Sequence, residues 1–377
     1  MLQNKISNKM TPQIIAFYLP QYHPFKENDE WWGKGFTEWT NVGKAKPLFK
    51  GHNQPRVPTE LGYYDLRLPI IREQQAIMAR DAGVTAFCYW HYWFGNGKRL
   101  IADIFDEVLE SGKPDFPFCL GWANHSWYSK NWNSDGTTTQ KILIEQTYPG
   151  IEDEKMHFEF LLRAFNDLRY VKVDGKPLFY IFDPVNVPDE YINNFRKWTK
   201  EAGFPDLYLV ANITHPSVKK DVLLARGFDA VTYQRLGSST NTVIAKMGRM
   251  GRGLFKVWQS VKGFIMHRPP RMVDYRTFYP MLITEEDKED NVIPALLPQW
   301  DHTPRSGWNG SLLVNSTPEY FYLHAKQALD AIKDKPQELQ ILFLKSWNEW
   351  GEGNYMEPDL QYGRGYIEAL RKAVDEL

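Results

Sequence analysis

The sequence predicts one (β/α)₈ barrel of the TIM-barrel class with long rim loops, formed by the whole chain, residues 1–377. Two observations predict it: short apolar runs typical of buried strands recur eight times, and segments with helical periodicity lie between them. A chain of 377 residues is long enough for one such barrel. A doubly wound sheet is the alternative. It is less favoured because no G-x-G-x-x-G fingerprint follows the first strand.

The predicted strands are short runs rich in apolar and aromatic residues, which favour extended backbone. They cover Ile14–Tyr18, Thr85–Trp90, Pro117–Trp122, Leu178–Phe182, Leu207–Ala211, Ala230–Tyr233, Ile293–Gln299 and Gln340–Ser346. Six helices are predicted at Leu68–Ala82, Ile101–Ser111, Glu152–Leu168, Asp189–Ala202, Pro318–Ile332 and Gln361–Glu376. Gly83 and Gly203 stand between a predicted helix and the next strand, where a glycine is typical of a helix C-terminus.

Two connections are too long for ordinary loops. The first, residues 21–69, is rich in aromatic residues and is predicted to fold over the rim of the barrel as a wall or lid. The second, residues 236–281, is basic: between Lys246 and Arg276 it carries eight Lys and Arg residues against one acid, Asp274. Apolar residues inside it recur at helical spacing. Two interpretations stay open, a basic amphipathic helix on an anionic membrane surface and a helical insertion packed on the barrel.

Charge and composition exclude several function classes. The 45 Lys and Arg residues balance 46 Asp and Glu residues, which leaves no excess of positive charge for binding nucleic acid. Two cysteines, Cys88 and Cys119, give neither a disulfide framework nor a metal-ligand spacing. No stretch reaches the ~20 apolar residues of a membrane span, and no signal-peptide core precedes the first strand. We therefore expect a cytoplasmic protein without cofactor or metal, of open oligomeric state.

Aromatic residues make up 15% of the chain, and flat rings can serve as platforms on which sugar rings stack. In a barrel, the loops at the C-terminal ends of the strands form the active site. The rings and polar groups in or just after the predicted strands, together with Trp39 of the first long loop, are therefore the candidate substrate-binding residues. They are Tyr22, His23, Trp39, Trp90, His91, Trp122, Asn124, His125, Tyr180, Tyr233, Trp300, Asp301, Asn348 and Trp350.

The strongest local signal is the segment Ser-Trp-Asn-Glu-Trp-Gly-Glu-Gly at 346–353, directly after the eighth strand. It places Glu349 and Glu352 three residues apart, with a glycine on each side of the second, where a sharply bent backbone can aim both into one cleft. Cleavage of a glycosidic bond needs two carboxyl groups, one protonated and one ionised. Mutual repulsion and burial by the neighbouring tryptophans would raise one pKa and leave the other low.

This segment resembles the catalytic loop of glycoside hydrolase family 99, the endo-acting α-mannosidases, and the wider chain resembles the bacterial WbsX-like relatives of that family. Six blocks carry the resemblance in order along nearly the whole chain: Ala16–His23, Trp32–Trp39, Phe87–His91, Pro177–Tyr180, Pro298–Asp301 and Asn348–Gly353. The resemblance implies retaining cleavage of an internal α-mannoside- or α-rhamnoside-type linkage in an oligo- or polysaccharide. The sequence departs from the family-99 pattern at Gly351, where a histidine usually stands.

The resemblance also implies a role for each glutamate. Glu349 resembles the base that takes a proton from the 2-hydroxyl of the sugar, which then attacks the anomeric carbon and forms a 1,2-anhydro sugar. Glu352 resembles the acid that protonates the leaving oxygen and afterwards activates water. No cofactor takes part in this scheme.

Two other functions stay open. The WbsX-like relatives are named as glycosyltransferases of surface polysaccharide (O-antigen or capsule) assembly, and a retaining barrel can transfer a glycosyl unit from a lipid-linked donor. Such an enzyme would work at the inner membrane face, with the basic residues 246–276 as its docking surface. A sugar-nucleotide donor is less favoured because the chain has no D-x-D motif. A non-catalytic sugar-binding module is least favoured because both glutamates are present.

Overall fold

Eight parallel strands surround one axis in the computed structural model, which describes residues 12–132, 138–236, 261 and 271–377. The strands are β1 (Gln13–Tyr18), β2 (Ala86–Trp93), β3 (Phe118–Trp122), β4 (Lys176–Ile181), β5 (Tyr208–Ile213), β6 (Ala230–Tyr233), β7 (Ala295–Leu296) and β8 (Ile341–Leu344). They pair in the order β6-β5-β4-β3-β2-β1-β8-β7, and a parallel bridge between Val231 and Val292 joins the two edges. The (β/α)₈ prediction is confirmed.

Helices cover the outside of the barrel and part of its rim. They are α1 (Lys26–Trp32), α2 (Glu38–Lys44), α3 (Pro69–Ala82), α4 (Asp103–Ser111), α5 (Ile151–Phe165), α6 (Asp189–Glu201), α7 (Lys220–Ala225), α8 (Tyr275–Phe278), α9 (Thr303–Ser306), α10 (Pro318–Ile332) and α11 (Gly365–Asp375). All six predicted helices are present within a few residues of their expected bounds. Gly83 ends α3 in the left-handed conformation, at φ +86°.

Short strands add small sheets to the strand-to-helix loops. Trp127–Trp132 and Thr138–Ile144 form an antiparallel pair after β3, and Asn348–Glu349 pairs with Asn354–Tyr355 after β8. Arg271–Asp274 pairs with Ser311–Val314. The remaining short strands are Arg99–Leu100, beside β2, and Lys172–Val173, beside β4. These additions lie outside the barrel sheet path, and only the loop after β8 was singled out from the sequence.

The seventh predicted strand, Ile293–Gln299, is longer than the strand that forms. Only Ala295–Leu296 pairs with β8, because Pro294 and Pro298 lack the N–H groups that would extend the ladder. The C-terminal helix also begins later than predicted, at Gly365. Backbone N–H groups of the preceding residues turn back to the side chain of Asp359 and keep that segment out of the helix.

An aromatic core fills the barrel below its C-terminal mouth. Phe17 stacks on Trp90 at a ring distance of 4.7 Å and meets Tyr180 edge-on at 4.7 Å. Phe343 of β8 packs against Phe17 at 5.1 Å. Gly121 is required beside them, because a Cβ there would lie 3.0 Å from the Cys88 Sγ and 3.3 Å from the Tyr180 ring. The barrel is therefore closed by rings below the mouth, and these rings form the floor of the site.

The first long loop contains α1 and α2, and it packs against the loops after β7 and β8. Most of the basic segment 246–276 lies outside the described residues, so its predicted helix and its predicted membrane contact stay predictions. Among the residues that are described, no helix is both long and apolar enough to span a bilayer.

Candidate active site

The loop after β8 turns sharply and presents both glutamates at the mouth of the barrel. Glu349 ends a two-residue strand, and Glu352 ends the short 3₁₀ turn that follows it. Gly353 then adopts φ +55°, and a Cβ on it would lie 2.7 Å from the Asp301 Cβ and 3.0 Å from the Asp301 nitrogen. Glycine at 353 therefore allows the loop to close tightly on the loop after β7.

Hydrogen bonds from β1 and its loop fix this turn. The side-chain amide of Asn348 accepts from the Leu19 N–H at 2.8 Å and donates to the Leu19 carbonyl at 3.1 Å. The Tyr22 hydroxyl donates to the Asn348 carbonyl at 2.5 Å and accepts from the Trp350 N–H at 3.0 Å. Behind the turn, the Trp350 indole N–H donates to the buried carboxylate of Glu357 at 2.6 Å. The backbone that carries the two glutamates is held from three sides.

Arg305 of α9 connects the two glutamates with a third carboxylate. Its Nη1 lies 2.7 Å from Glu352 Oε1 and 3.1 Å from Glu349 Oε1. Its Nη2 and Nε each lie 3.1 Å from Oε2 of Glu38, the first residue of α2. These side chains are between 6% and 23% exposed. Loops after β1, β7 and β8 thus converge on one cluster, which we call the carboxylate–arginine cluster (Glu38, Arg305, Glu349 and Glu352).

Electrostatics in this cluster separate Glu349 from an ordinary carboxyl group. Burial and the negative charge of Glu352 raise the pKa of Glu349 to about 7, although Arg305 acts to lower it. His302 lies 3.6 Å from Glu352 Oε1, and burial and the Arg305 charge lower its pKa to about 4. At neutral pH the histidine is therefore uncharged, while Glu349 holds a proton about half of the time.

Several predicted substrate-binding residues lie around the cluster. Trp39 packs against Tyr22 at 4.6 Å and against Trp350 at 5.5 Å, and its indole N–H donates to the Tyr64 carbonyl. Trp350 itself is fully buried and stacks on Tyr355. These rings form the wall behind the turn, and Trp90, on top of the aromatic core, forms part of the floor.

Trp300 and Asp301 support the cluster from β7. The Trp300 ring lies parallel to the His302 ring at 6.0 Å. Asp301 is 1% exposed and accepts hydrogen bonds from His52 and Gln54 of the first long loop at 2.8 and 2.7 Å. Burial acts to raise its pKa, but the hydrogen bonds from His52 and Thr303 and the charge of nearby Arg56 lower the pKa to about 2. The Asp301 carboxylate therefore ties two rim loops together.

Other predicted residues make contacts away from the carboxylates. His91 faces α5, where its Nε2 lies 2.9 Å from the Nε2 of His157. The Trp122 indole N–H donates to the Trp93 carbonyl, and the Asn124 side chain bonds to backbone groups of Asp183.

The remaining predicted residues occupy four separate places. His23 is buried near Phe25, and Tyr180 lies in the aromatic core. His125 is exposed beside Phe182, and Tyr233 lies under the Arg235 guanidinium. Substrate contacts by any of these residues stay predictions.

Sequence reasoning did not select Glu38, Arg305 and Tyr92 as site residues. Glu38 and Arg305 are 267 positions apart, so no local spacing could have joined them. Tyr92 lies at the end of β2, and burial together with the charge of Glu349 raises its pKa. The one available signal was position, because each of these residues lies in a strand end or loop at the C-terminal side of the predicted barrel.

The cluster combines three carboxylates with one cation. Across the described part of the chain, no group of three or more His, Cys, Asp or Glu side chains is arranged to hold a metal ion. Where three carboxylates converge, the guanidinium of Arg305 supplies the positive charge.

Solved structures with a similar fold include two glycoside hydrolase family 99 structures and one further hydrolase-like protein. The family 99 endo-α-mannosidase from Bacteroides thetaiotaomicron, in complex with Bis-Tris propane, is 15% identical with a TM-score of 0.56, over 97% of this chain and 96% of that one. A second structure of that enzyme gives 15% identity and a TM-score of 0.53, over 97% of each chain. A glycoside hydrolase-like protein is 16% identical with a TM-score of 0.54, over 96% of this chain and 94% of that one. These similarities establish the fold.

Sequence relatives and a family model extend the comparison. Two proteins named uncharacterized protein WxcX, from two strains of Xanthomonas campestris pv. campestris, are each 32% identical over 370 residues. The match covers 96% of this chain and 49% of each relative, so the chain spans about half the length of these proteins. The family model for glycosyltransferase WbsX matches residues 14–370. The chain belongs to the WbsX glycosyltransferase family.

Proposed function

We propose that the chain is a carbohydrate-active enzyme that cleaves an internal α-mannoside- or α-rhamnoside-type linkage with retention, using Glu349 and Glu352. The observation that carries this proposal is the contact of both carboxylates with one nitrogen of Arg305 at the mouth of the barrel. Their Oε1 atoms are no more than 5.8 Å apart, the sum of the distances to that nitrogen. Two carboxyl groups this close can supply the acid and the base that cleavage of one glycosidic bond needs.

The chemistry follows from a pair of carboxyl groups that shares one proton. In the order that the family resemblance implies, Glu349 takes the proton of the sugar's 2-hydroxyl while the oxygen of that hydroxyl attacks the anomeric carbon. Glu352 gives its proton to the leaving oxygen as the glycosidic bond breaks, and a 1,2-anhydro sugar results. Glu352 then removes a proton from the water that attacks the anomeric carbon, the bond from that carbon to the 2-oxygen breaks, and Glu349 returns its proton to the 2-oxygen. An α-linked manno- or rhamno-configured sugar fits, because its 2-hydroxyl is trans to the leaving group.

A pKa of about 7 suits Glu349 as the base, since a general base works best with a pKa near the working pH. In the substrate-free protein Glu349 then keeps a proton to higher pH than an ordinary carboxyl group. The same proton must reside on Glu352 when the leaving oxygen departs. Because both carboxyls contact Arg305 Nη1, their Oε1 atoms lie at most 5.8 Å apart, a distance that one bridging water can span.

Transfer of the sugar to an acceptor hydroxyl is the second candidate function, and the family to which the chain belongs favours it. The first step would be unchanged, and Glu352 would activate an acceptor hydroxyl in place of water. A lipid-linked oligosaccharide is then the expected donor, and the enzyme would act at the inner membrane face.

Product analysis on α-mannosyl and α-rhamnosyl glycans tests both functions. We expect wild-type protein to release new reducing ends, and Glu349→Gln and Glu352→Gln to lose this activity by at least about 100-fold. Formation of a longer glycan in place of a new reducing end would favour the transferase. No product from any glycan or lipid-linked donor would contradict the proposed function.

Activated substrates separate the roles of the two glutamates. Fluoride leaves a glycosyl fluoride without being protonated, so this substrate bypasses the general acid but still requires the base. We expect Glu352→Gln to recover the release of fluoride, which reports the first step alone, and Glu349→Gln to stay inactive. The reverse result would exchange the two roles.

A further inference from the structure

Glu38 occupies the space that a side chain at position 351 would need. Its carboxylate reaches the catalytic pair from α2 in the first long loop, and the side chain is 6% exposed. A Cβ built on Gly351 would overlap Glu38 Oε2 and lie 3.0 Å from Arg305 Nε. Any side chain at 351 would therefore push the Glu38 carboxylate away from Arg305. Glycine at this position makes the contact between Glu38 and Arg305 possible.

Glu38 also sets the orientation of the guanidinium. Its Oε2 contacts Nε and Nη2 of Arg305 at 3.1 Å each, so this edge of the planar group is committed to Glu38. A guanidinium is a rigid fork, and fixing one edge fixes the direction of its other nitrogen. That nitrogen is Nη1, which contacts Glu349 and Glu352.

We propose that Glu38 is a positioning residue that anchors Arg305, so that one cation stays in contact with both catalytic carboxyls during the reaction. This inference rests on the proposed function. As Glu349 gains a proton from the 2-hydroxyl, Glu352 gives one to the leaving oxygen, so the pair carries one negative charge before and after the step. A cation held against both carboxyls stabilises that charge on either residue without reorganisation.

Two possible roles of Glu38 predict opposite changes in the titration of the pair. The charged and titratable groups that face the pair are Glu38, Arg305, His302, Lys345, Tyr22 and Tyr92. If Glu38 acted only as a neighbouring negative charge, its removal would let the pair lose its proton at lower pH. If Glu38 anchors Arg305, its removal takes the cation from the pair, and the pair keeps its proton to higher pH.

The pH dependence of carbodiimide labelling tests this directly, because the reagent modifies protonated carboxyl groups. Labelling of Glu349 and Glu352 is read by peptide mass spectrometry on the full chain, without substrate. In Glu38→Ala and in Gly351→Ala we expect the labelling midpoint to rise by about one pH unit, as in Arg305→Met. The double variant Glu38→Ala/Arg305→Met is expected to have the same midpoint as Arg305→Met alone, since both changes remove the same interaction, the contact of Arg305 with the pair.

Matched controls come from the same loop. Glu30→Ala removes an exposed carboxylate that lies 3.9 Å from Lys26, and Gly43→Ala adds a Cβ that meets nothing within 4 Å. Both controls are expected to keep the wild-type midpoint. Glu38→Gln keeps an oxygen that accepts from Arg305, so its midpoint is expected at or below the wild-type value.

A fall or no change of the midpoint in Glu38→Ala would overturn the proposal. If that variant fails to fold by circular dichroism, Gly351→Ala decides, because it keeps both charged side chains and disturbs only the contact between them. Wild-type protein that cleaves no glycan would overturn the proposed function, while the labelling midpoints would still decide whether Glu38 holds Arg305 on the pair.

Discussion

The alkaline limit of activity is the sharpest consequence of the carboxylate–arginine cluster. Cleavage needs one proton on the Glu349–Glu352 pair, whichever carboxyl donates it, so loss of the last proton ends activity. Burial and the charge of Glu352 place the pKa of Glu349 at about 7. The protonated fraction is then about nine-tenths at pH 6, one-tenth at pH 8 and one-hundredth at pH 9. We expect kcat/KM to fall by about tenfold from pH 6 to pH 8 and by a further tenfold at pH 9.

Initial rates at low substrate concentration, between pH 5 and pH 9, measure this limit. A carboxyl with an ordinary pKa of about 4.3 would already have lost nearly all its protons by pH 7. The position of the limit therefore reports the burial of Glu349 and its repulsion by Glu352. A decline that begins below pH 6 would refute the raised pKa. A constant rate up to pH 9 would refute the requirement for a carboxyl proton.

Two further predictions concern stability. In urea unfolding, Gly353→Ala is expected to destabilise the fold by more than the control Gly363→Ala. Both glycines have positive φ, but only a Cβ at 353 meets the Asp301 backbone. The control should cost about 1 kcal/mol of unfolding free energy, and equal losses in the two variants would contradict the close packing at 353. His91 and His157 are buried and their pKa values are lowered well below normal by burial, so the unfolded chain takes up protons near pH 6.5 that the folded chain refuses. Stability should fall as the pH drops below about 6.5, and replacing both histidines by Gln should reduce this dependence. An unchanged dependence would contradict the burial of neutral histidines.

The barrel could be predicted because each strand is a local pattern of apolar residues, and parallel pairing leaves few topologies for such an alternation. The strand bounds were less predictable, as Pro294 and Pro298 show at β7. Helices α1, α2, α7, α8 and α9 were not predicted, and the last two have only four residues each. The other three give the reason. They are six or seven residues long, too short for a hydrophobic period to be read.

The candidate pair could be selected for the same reason: Glu349 and Glu352 are close in sequence, next to a strand, and the second lies between two glycines. Their partners were not predictable, because a contact across 267 positions leaves no mark on local spacing. Gly351 shows what the sequence alone and the structure each reveal about one residue. In the sequence it is a residue that departs from a family pattern, with no physical reason attached. In the structure it gives room to Glu38, a carboxylate from another loop, and so explains how Arg305 can contact three acids at once. The departure at Gly351 and the presence of Glu38 should therefore be tested together, since each accounts for the other.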